Sequence, residues 1–230
     1  MSHRTRSELE ALVAEGNAVS VDANSAIAWA VQAFGRSIIV AESMANGALS
    51  HLVATQAPGV DVLFLDTDYH FAETLATRDD VARRVDVRII DIHPLQTIAE
   101  QAAEHGPDLF ARDPNRCCAL RKVEPLNRGL AGYQAWVTGV RRVDAPTRVN
   151  TQLVEFDERR GMVKINPMAA WTDDELTAYI ITNDVPVNPL IYRGYPSIGC
   201  APCTSPVADG ADPRSGRWAG QGKTECGLHL

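Results

Sequence analysis

Four of the five cysteines in this chain form two close pairs. Cys117 and Cys118 are adjacent in "RDPNRCCALRK", and Cys200 and Cys203 form a C-x-x-C motif in "SIGCAPCTSP". Four thiolates suit either Zn²⁺ or an iron–sulfur cluster. Adjacent cysteines fit one tetrahedral zinc poorly, because neighbouring side chains point apart, whereas a multi-iron cluster offers each thiolate its own iron. The spacing therefore favours a [4Fe–4S] cluster, with zinc and unmetallated thiols as the alternatives.

Positive charge is concentrated around the adjacent pair, on Arg112, Arg116, Arg121 and Lys122. A [4Fe–4S] cluster held by four thiolates carries net negative charge, which these cations would offset. A run of charges is equally typical of a solvated helix face, so both interpretations stay open.

The fifth cysteine, Cys226, lies near the carboxyl end in "KTECGLHL". Lys223 precedes it by three residues and His229 follows it by three, and either cation would favour the thiolate. A free surface thiol without a function is the alternative. Basic and aromatic neighbours make that alternative less attractive: Arg214, Arg217 and Trp218.

Composition limits the class of protein. The 230 residues are 45% hydrophobic, enough for one sizeable core. The net charge of −7 argues against a generic nucleic-acid binder, although a local basic pocket remains compatible with a small anionic substrate. We find no signal peptide and no apolar stretch long enough to span a membrane, so we expect a cytoplasmic protein. In a reducing compartment, closely spaced cysteines indicate metal binding or catalysis rather than disulfides.

Apolar runs rich in β-branched residues alternate with helical patterns along the chain. The runs predict strands at 37–41, 61–67, 85–92 and 135–140, with helices at 47–57, 70–84, 95–104 and 117–131 between them. This alternation predicts an α/β fold, with a mostly parallel sheet and helices on both faces. Ligands bind such sheets at the carboxyl ends of the strands, where "ESMANGALS", "DTDYHF" and "GVRRVDAPTR" are found.

Local signals predict the remaining elements. Ser7 and Glu10 form a candidate capping box for an opening helix, and Thr172 and Glu175 form another. Gly35 closes a helix in "SAIAWAVQAFG", and a hairpin turns at Arg160-Gly161. The last twenty residues have little apolar content, so we expect them to remain unburied as a mobile tail.

Six segments in order resemble the assimilatory adenylyl-sulfate (APS) reductases, the iron–sulfur branch of the phosphoadenylyl-sulfate reductase family. They are "LDTDYHFAET", "LFARDPNRCCALRKVEPL", "WVTGVRRVDAPTR", "KINPMAAWTDDEL", "VNPLIYRGYPSIGCAPCT" and "DPRSGRWAGQGKTECGLH". The resemblance runs from about residue 37 to the carboxyl end.

The resemblance implies a fold of the adenine-nucleotide alpha-hydrolase-like, ATP-pyrophosphatase type. Residues 1–210 would form one nucleotide-binding and cluster domain, and residues 211–230 a mobile catalytic tail. The reaction would reduce APS to sulfite and AMP in sulfate assimilation. Cys226 would attack the sulfate sulfur to give an S-sulfocysteine, from which thioredoxin or a similar dithiol releases sulfite. The four paired cysteines would hold a [4Fe–4S] cluster that keeps its redox state during turnover.

The resemblance also assigns roles to charged residues. Lys122 would link the cluster to the substrate, and His229 is similar to the family histidine that follows the nucleophile. Asp66 lies at a strand end where family members carry an acidic residue. Four arginines resemble the phosphosulfate-binding and tail-docking set: Arg141, Arg142, Arg214 and Arg217.

The chain departs from the family pattern after the first strand, in "VAESMANGALSHL". Glu42 or Ser43 takes the usual serine position, and Asn46 or Gly47 the acidic one. A Glu facing an anionic substrate would be unfavourable, so Ser43 is the expected contact. Asp68 also replaces a common glycine.

Two other functions compete with this interpretation. One is a reductase that prefers the 3′-phosphorylated substrate (PAPS), although that branch typically lacks the four cysteines. The other is a non-catalytic iron–sulfur or zinc protein that binds adenine nucleotide and senses redox state, and a purely structural zinc domain is a simpler form of it.

Overall fold

The computed structural model describes residues 4–228. Within that range a six-stranded sheet has the order β3-β2-β1-β4-β6-β5. All neighbouring strands are parallel except the antiparallel pair β5 and β6. The strands are β1 (Ile38–Ala41), β2 (Val60–Leu65), β3 (Val87–Ile92), β4 (Ala135–Thr138), β5 (Val154–Asp157) and β6 (Met162–Ile165). The predicted α/β class and mostly parallel sheet are therefore confirmed.

The four predicted strands all form, with ends that differ by one to two residues from the apolar runs. The hairpin between β5 and β6 turns at Arg160-Gly161, and Gly161 has a φ of 63°, which favours glycine. Gly35, with a φ of 52°, ends its helix as predicted.

Helices connect and cover the strands. They are α1 (Arg6–Val19), α2 (Ala23–Phe34), α3 (Ala48–Ala54), α4 (Ala72–Arg84), α5 (Ile98–His105), α6 (Leu109–Arg112), α7 (Pro114–Cys118), α8 (Glu124–Leu130) and α9 (Asp173–Thr182). A π-helical turn, Ala119–Val123, joins α7 to α8. Within residues 4–228, none of the helices has the length and apolar character needed to cross a bilayer.

The predicted capping box at the first helix is wrong by two residues. Thr5 caps α1 by accepting a hydrogen bond from the backbone N–H of Glu8, and the Glu8 carboxylate accepts one from the Thr5 N–H in return. Both candidate pairs have the same three-residue spacing, and Arg6 pairs with Glu10 instead. The Thr172–Glu175 box of α9 is confirmed, with Glu175 N 3.2 Å from the Thr172 hydroxyl.

The sheet has an apolar core on each face. Successive residues of a strand point to opposite faces, so Ile38 and Val40 join a core with α1 to α4 and α9. Ile39 joins the second core, which contains Leu126 and Leu130 of α8. Covering both faces leaves the carboxyl edge of the sheet for the loops that follow β1, β2 and β4.

Candidate active site

Four buried cysteines line one pocket. Cys117 and Cys118 come from the end of α7, Cys203 from a 3-10 turn (Ala201–Cys203), and Cys200 caps that turn. Their neighbours in the pocket come from the loop after β2, from α6, from the start of α7 and from the π-helical turn: Tyr69, Phe110, Pro114, Arg121 and Lys122. The fold therefore brings together the two pairs that are about 80 residues apart in the sequence.

The local sequence explains how α7 presents its two thiols. Asp113 caps the helix by accepting a bond of 2.9 Å from Arg116 N, and Pro114 occupies its first turn, where a missing N–H costs nothing. Residues three and four apart share a helix face, so Arg121 and Lys122 follow Cys117 and Cys118 into the interior. The intervening π-helical turn is a rare geometry that is frequent at functional sites.

Arg121 is only 1% exposed and fixes the loop that follows β2. Its Nε donates to the Thr67 carbonyl at 2.7 Å, and its Nη1 donates to Gln101 Oε1 at 3.2 Å. Its remaining donor pairs with Asp68, and the guanidinium lies over the Tyr69 ring. Asp68 adopts a φ of 56° that a glycine would tolerate more easily. The Arg121 contact accounts for an aspartate at this departure from the family pattern.

Lys122 is 9% exposed and faces the thiols. Burial alone would lower the pKa of its ammonium, but the negative charge of Cys200, Cys226 and Cys118 as thiolates outweighs burial and raises the pKa. In contrast, Arg112 and Arg116 are exposed. The solvated-face interpretation therefore holds for Arg112 and Arg116, while charge compensation of a cluster by Arg121 and Lys122 stays a prediction.

Three of the four buried thiols need a nearby positive charge to be ionised. Burial, followed by the charge of neighbouring thiolates, raises the pKa of Cys117 to about 12. Burial likewise raises the pKa of Cys203 to about 11 and moves the pKa of Cys118 upwards. Thiols with such values stay protonated at neutral pH unless a metal supplies charge. The donor set therefore fits a metal centre.

The sulfurs of the paired cysteines are not gathered closely around one point. In the described range, 4–228, no three of these thiols have sulfurs all within 4.8 Å of one another. Four sulfurs around one zinc at 2.3 Å would be about 3.8 Å apart. The arrangement is therefore wider than a tetrahedral zinc site.

Cys226 packs against the buried cluster formed by Cys118, Cys200, Cys203 and Trp218. It is half-buried, whereas the other four cysteines are buried. The thiol predicted to react thus lies beside the thiols predicted to bind metal.

Part of the tail is tied to this cluster. Trp218 is 3% exposed, and its backbone N–H donates to the Cys203 carbonyl at 3.0 Å. Arg217 forms an isolated antiparallel bridge with Thr204, and its guanidinium lies 4.6 Å from the Trp218 ring centroid. The expectation that the last twenty residues remain unburied is wrong for Trp218, because one large aromatic side chain suffices to anchor a polar segment. The predicted boundary at residue 210 and the mobility of the tail remain predictions.

The predicted substrate arginines lie in two groups. Arg141 pairs with Asp144 and Asp173 at 2.7 and 2.8 Å, and its Nη1 is buried with no hydrogen-bond partner among the described residues. Arg142 donates from Nε to the Thr151 carbonyl. In the tail, Arg214 binds Glu225, and Arg217 donates to Ser197 and Ile198. These internal contacts neutralise or occupy part of the set, and among the described residues the buried Arg141 Nη1 and Arg217 Nε have no hydrogen-bond partner.

In the loop after β1, Ser43 points to solvent, whereas Glu42 forms hydrogen bonds within the protein. Ser43 is exposed. Glu42 turns to the start of α3, where it accepts bonds from Leu49 N at 3.1 Å, Ser50 N at 3.2 Å and the Ser50 hydroxyl. Burial raises the pKa of Glu42 to about 7, against the effect of these bonds. The carboxylate of Glu42, expected to repel an anionic substrate, is thus used in contacts with the start of α3.

Asp66 begins the loop after β2, and its carboxylate accepts a bond of 3.0 Å from Asp68 N. Asp66, Asp68 and His93 have oxygen and nitrogen atoms within 4.8 Å of one another. Asp68 is already paired with Arg121, which ties this acidic group to the wall of the thiol pocket.

Sequence reasoning missed two residues of this region, Arg148 and Glu225. They form an ion pair of 2.9 Å that joins the tail to the segment after β4. Both lie inside motifs that the sequence singles out, "GVRRVDAPTR" and "KTECGLH", but opposite charges 77 residues apart give no pairing signal. His229 lies outside the described residues.

The fold and site define an α/β protein with a buried thiol cluster at the carboxyl edge of a nucleotide-binding type of sheet. The family model for the phosphoadenosine phosphosulfate reductase domain matches residues 37–206. The chain belongs to this family, as its motifs predict.

Named relatives support the same family over the whole chain. The adenosine 5'-phosphosulfate reductase of Rhodococcus opacus is 55% identical and covers 100% of this chain and 98% of its own. That of Mycolicibacterium smegmatis is also 55% identical, with coverage of 98% and 97%. The Mycobacterium tuberculosis protein of the same name is 60% identical over 83% of this chain and 75% of its own.

Solved structures confirm the fold. The phosphoadenylyl-sulfate (PAPS) reductase of Candida auris has a TM-score of 0.69 at 28% identity, covering 90% of this chain and 99% of its own. The FMN adenylyltransferase of Candida glabrata, covering 93% of this chain and 73% of its own, has a TM-score of 0.56 at 11% identity and shares the fold alone. The predicted adenine-nucleotide alpha-hydrolase-like fold is confirmed.

Proposed function

We propose that this chain reduces adenylyl sulfate to sulfite and AMP. The observation that carries the proposal is the packing of Cys226 against Cys118, Cys200 and Cys203, within reach of the charge of Lys122. Relatives named adenosine 5'-phosphosulfate reductase, at 55–60% identity, support the same substrate.

The reaction balances as a series of nucleophilic steps. The Cys226 thiolate attacks the sulfate sulfur, a sulfur–sulfur bond forms, and the sulfur–oxygen bond to the nucleotide phosphate breaks. AMP leaves with that electron pair, and an S-sulfocysteine remains. A dithiol protein such as thioredoxin then attacks the Cys226 sulfur, forms a mixed disulfide with it and releases sulfite. The second thiol of that protein breaks the mixed disulfide, closes an intramolecular disulfide and releases the Cys226 thiolate. The two electrons that convert sulfate to sulfite come from this dithiol.

The chain's own residues would lower the barrier electrostatically. The substrate carries anionic oxygens, so the approach of a thiolate needs nearby cations. Lys122 is desolvated and interacts electrostatically with Cys226, and burial strengthens such charge interactions. The unpartnered Nη1 of Arg141 and the tail arginines Arg214 and Arg217 would bind the phosphosulfate. Ser43, Arg142 and Asp66 remain proposed contacts, and His229 a proposed partner of the nucleophile.

Cys117, Cys118, Cys200 and Cys203 would hold a [4Fe–4S] cluster. Three of these buried thiols have raised pKa values and so need positive charge to ionise, and the absence of a compact three-sulfur group supports a multi-iron centre over one zinc. Once bound, the cluster would supply a fixed charge beside Lys122 and would keep its redox state. A reducing compartment such as the predicted cytoplasm would keep all five cysteines out of disulfides.

A trapping experiment tests the nucleophile. Anaerobically purified protein is incubated with APS without a dithiol, and its cysteine peptides are analysed by mass spectrometry. We expect one sulfonate on Cys226, and no sulfite from Cys226→Ser after thioredoxin is added. Sulfonate on another thiol, or sulfite production by the serine variant, contradicts the proposal. Ser215→Ala, an exposed hydroxyl change in the same tail, is the control.

Further measurements separate the alternatives. Iron and acid-labile sulfide in the purified protein, with broad visible absorption, exclude a colourless zinc domain. Rates with APS and PAPS decide between the two substrates, and a clear preference for PAPS would reverse the assignment. Nucleotide binding without any sulfite production would favour a redox sensor instead.

A further inference from the structure

Glu225, the residue before Cys226, is held by a set of donors outside the thiol pocket. Its side chain is 8% exposed. Its Oε1 accepts from Arg148 Nε at 3.0 Å and from the Thr147 hydroxyl at 3.3 Å. Its Oε2 accepts from Arg148 Nη2 at 2.9 Å and from Arg214 Nη2 at 3.3 Å. Four hydrogen bonds from Thr147, Arg148 and Arg214 hold this carboxylate more firmly than an ordinary surface ion pair would. We call this arrangement the Glu225 clamp.

Arg148 belongs to the body of the protein and is itself fixed. It ends a 3-10 turn, Pro146–Arg148, in the segment that follows β4. Its side chain is 13% exposed and also contacts Asp144 at 3.4 Å, while Asp144 pairs with Arg141. The pair of Arg148 with Glu225 therefore joins the tail to the same charged segment that contains the proposed substrate arginine Arg141.

The charges favour an ionised clamp. Burial of Glu225 acts to raise the pKa of its carboxyl, but the bonds and positive charge of Arg148, with the charge of Arg214, outweigh burial and lower the pKa. The carboxylate is therefore charged at neutral pH and its bonds to both guanidinium groups are charge-assisted.

We propose that Glu225 is the positioning residue of the nucleophile: its clamp by Arg148 and Arg214 sets the register of the tail and so holds Cys226 beside Lys122. The expected effect on the reaction rate rests on the proposed function. The expected effect on the position of Cys226 rests on the ion pairs alone. Glu225 and Cys226 are adjacent in the chain, so a shift of the clamped carboxylate moves the thiol directly. A misplacement of about 1 Å can cost about 100-fold in rate.

The first test compares Glu225→Gln with Glu10→Gln, an exposed carboxylate change on α1. We expect the Glu225 variant to form the S-sulfocysteine about 10- to 100-fold more slowly, with KM changed less than about threefold. Without substrate, iodoacetamide should alkylate its Cys226 faster than in the parent protein. Glu10→Gln should match the parent in both assays. If Glu225 competed with substrate for Arg214, the glutamine variant would instead bind APS more tightly at an unchanged rate, which would overturn the inference.

A double-mutant cycle tests the pair itself. Arg148→Gln should reproduce the effect of Glu225→Gln on alkylation, and the double variant should be no worse than either single change. Fully additive effects would show that the two side chains act separately and would contradict the clamp. Circular dichroism verifies that each variant is folded.

The two readouts separate the inference from the proposed function. If the parent protein makes no sulfite while the variants still expose Cys226, the proposed reaction fails and the clamp stands. If the parent is active and both glutamine variants match it in rate and alkylation, the clamp fails and the reaction stands.

Discussion

Glu42 is a carboxylate held where an ionised form is costly. Burial raises the pKa of this group to about 7 from the ordinary 4.5, although Leu49 and Ser50 donate to it. Between those two pH values the native protein binds more protons than the unfolded chain does. The native state is therefore destabilised as pH rises through this window.

Glu42→Gln should remove this pH dependence, because the amide oxygen still accepts a bond and has no charge to bury. We expect the parent protein to lose up to about 3 kcal/mol between pH 4.5 and 7 relative to the variant, since each pH unit is worth about 1.4 kcal/mol. Urea unfolding at several pH values measures the difference, with Glu10→Gln as the control. Parallel pH profiles for the parent and Glu42→Gln would contradict this account of the loop.

A substitution of Lys122 should preserve the volume of the side chain, because this residue is buried and a smaller one would leave a cavity. Lys122→Met keeps most of the volume and removes the charge that faces Cys226. We expect sulfite formation to fall by about 100-fold or more, the usual loss when one preorganised donor is removed. Arg116→Met, a change of an exposed cation two residues before Cys118, should leave the rate unchanged. Equal rates for the parent and Lys122→Met would remove Lys122 from the site.

At the scale of elements, the π-helical turn between α7 and α8 carries the side chain that organises the pocket wall. Arg121→Lys keeps the charge but cannot reproduce the fork that reaches Thr67, Gln101 and Asp68 together. We expect a loss of about 2 kcal/mol in unfolding free energy, because buried acceptors lose their partner. Denaturant titration checks it, and Arg116→Lys should change stability by less than about 0.5 kcal/mol. Equal losses for both variants would show that burial of Arg121 has no special role.

The sequence predicted the strands better than the connections. Buried parallel strands appear as short, nearly continuous apolar runs, so β1 to β4 were predicted with only their ends uncertain. The cysteine spacing likewise predicted one shared site, because four thiols have few other uses in a reducing cell. A hydroxyl residue followed three positions later by Glu occurs at both Thr5 and Ser7, so the sequence pattern fits either as the cap. Only the packed structure shows that Thr5 is the cap. The π-helical turn and the Glu225 clamp had no sequence signal, since both depend on contacts between distant segments.

At the scale of the whole molecule, the tail divides into two parts with different attachments. Residues up to Trp218 cover the thiol cluster through Gly216, whose carbonyl accepts from Ser205 N at 2.9 Å, and through the Trp218 N–H bond to Cys203. Residues 221–228 contact the body through side chains: Glu225 in its clamp, Lys223 with Asn115, and Leu228 in the second core. We therefore predict that any moving part of the tail is shorter than 211–230 and begins near Gly220, which has a φ of 76°.

Two truncations test that division. Removing residues 221–230 deletes Cys226, the proposed nucleophile, so sulfite production should stop, whereas the cover over Cys200 and Cys203 should stay in place. Removing residues 211–230 also deletes Trp218, which is buried against them, and should open the pocket to solvent. We expect the alkylation rate of the four paired cysteines to be about tenfold higher in the longer deletion than in the shorter one. A tenfold change corresponds to a loss of about 1.4 kcal/mol in the free energy that protects these thiols from solvent. Mass spectrometry of iodoacetamide-treated protein, prepared with chelator to remove metal, measures it. If both truncations expose the four thiols equally, the segment around Trp218 is not a fixed part of the body, and the tail moves as one piece from residue 211.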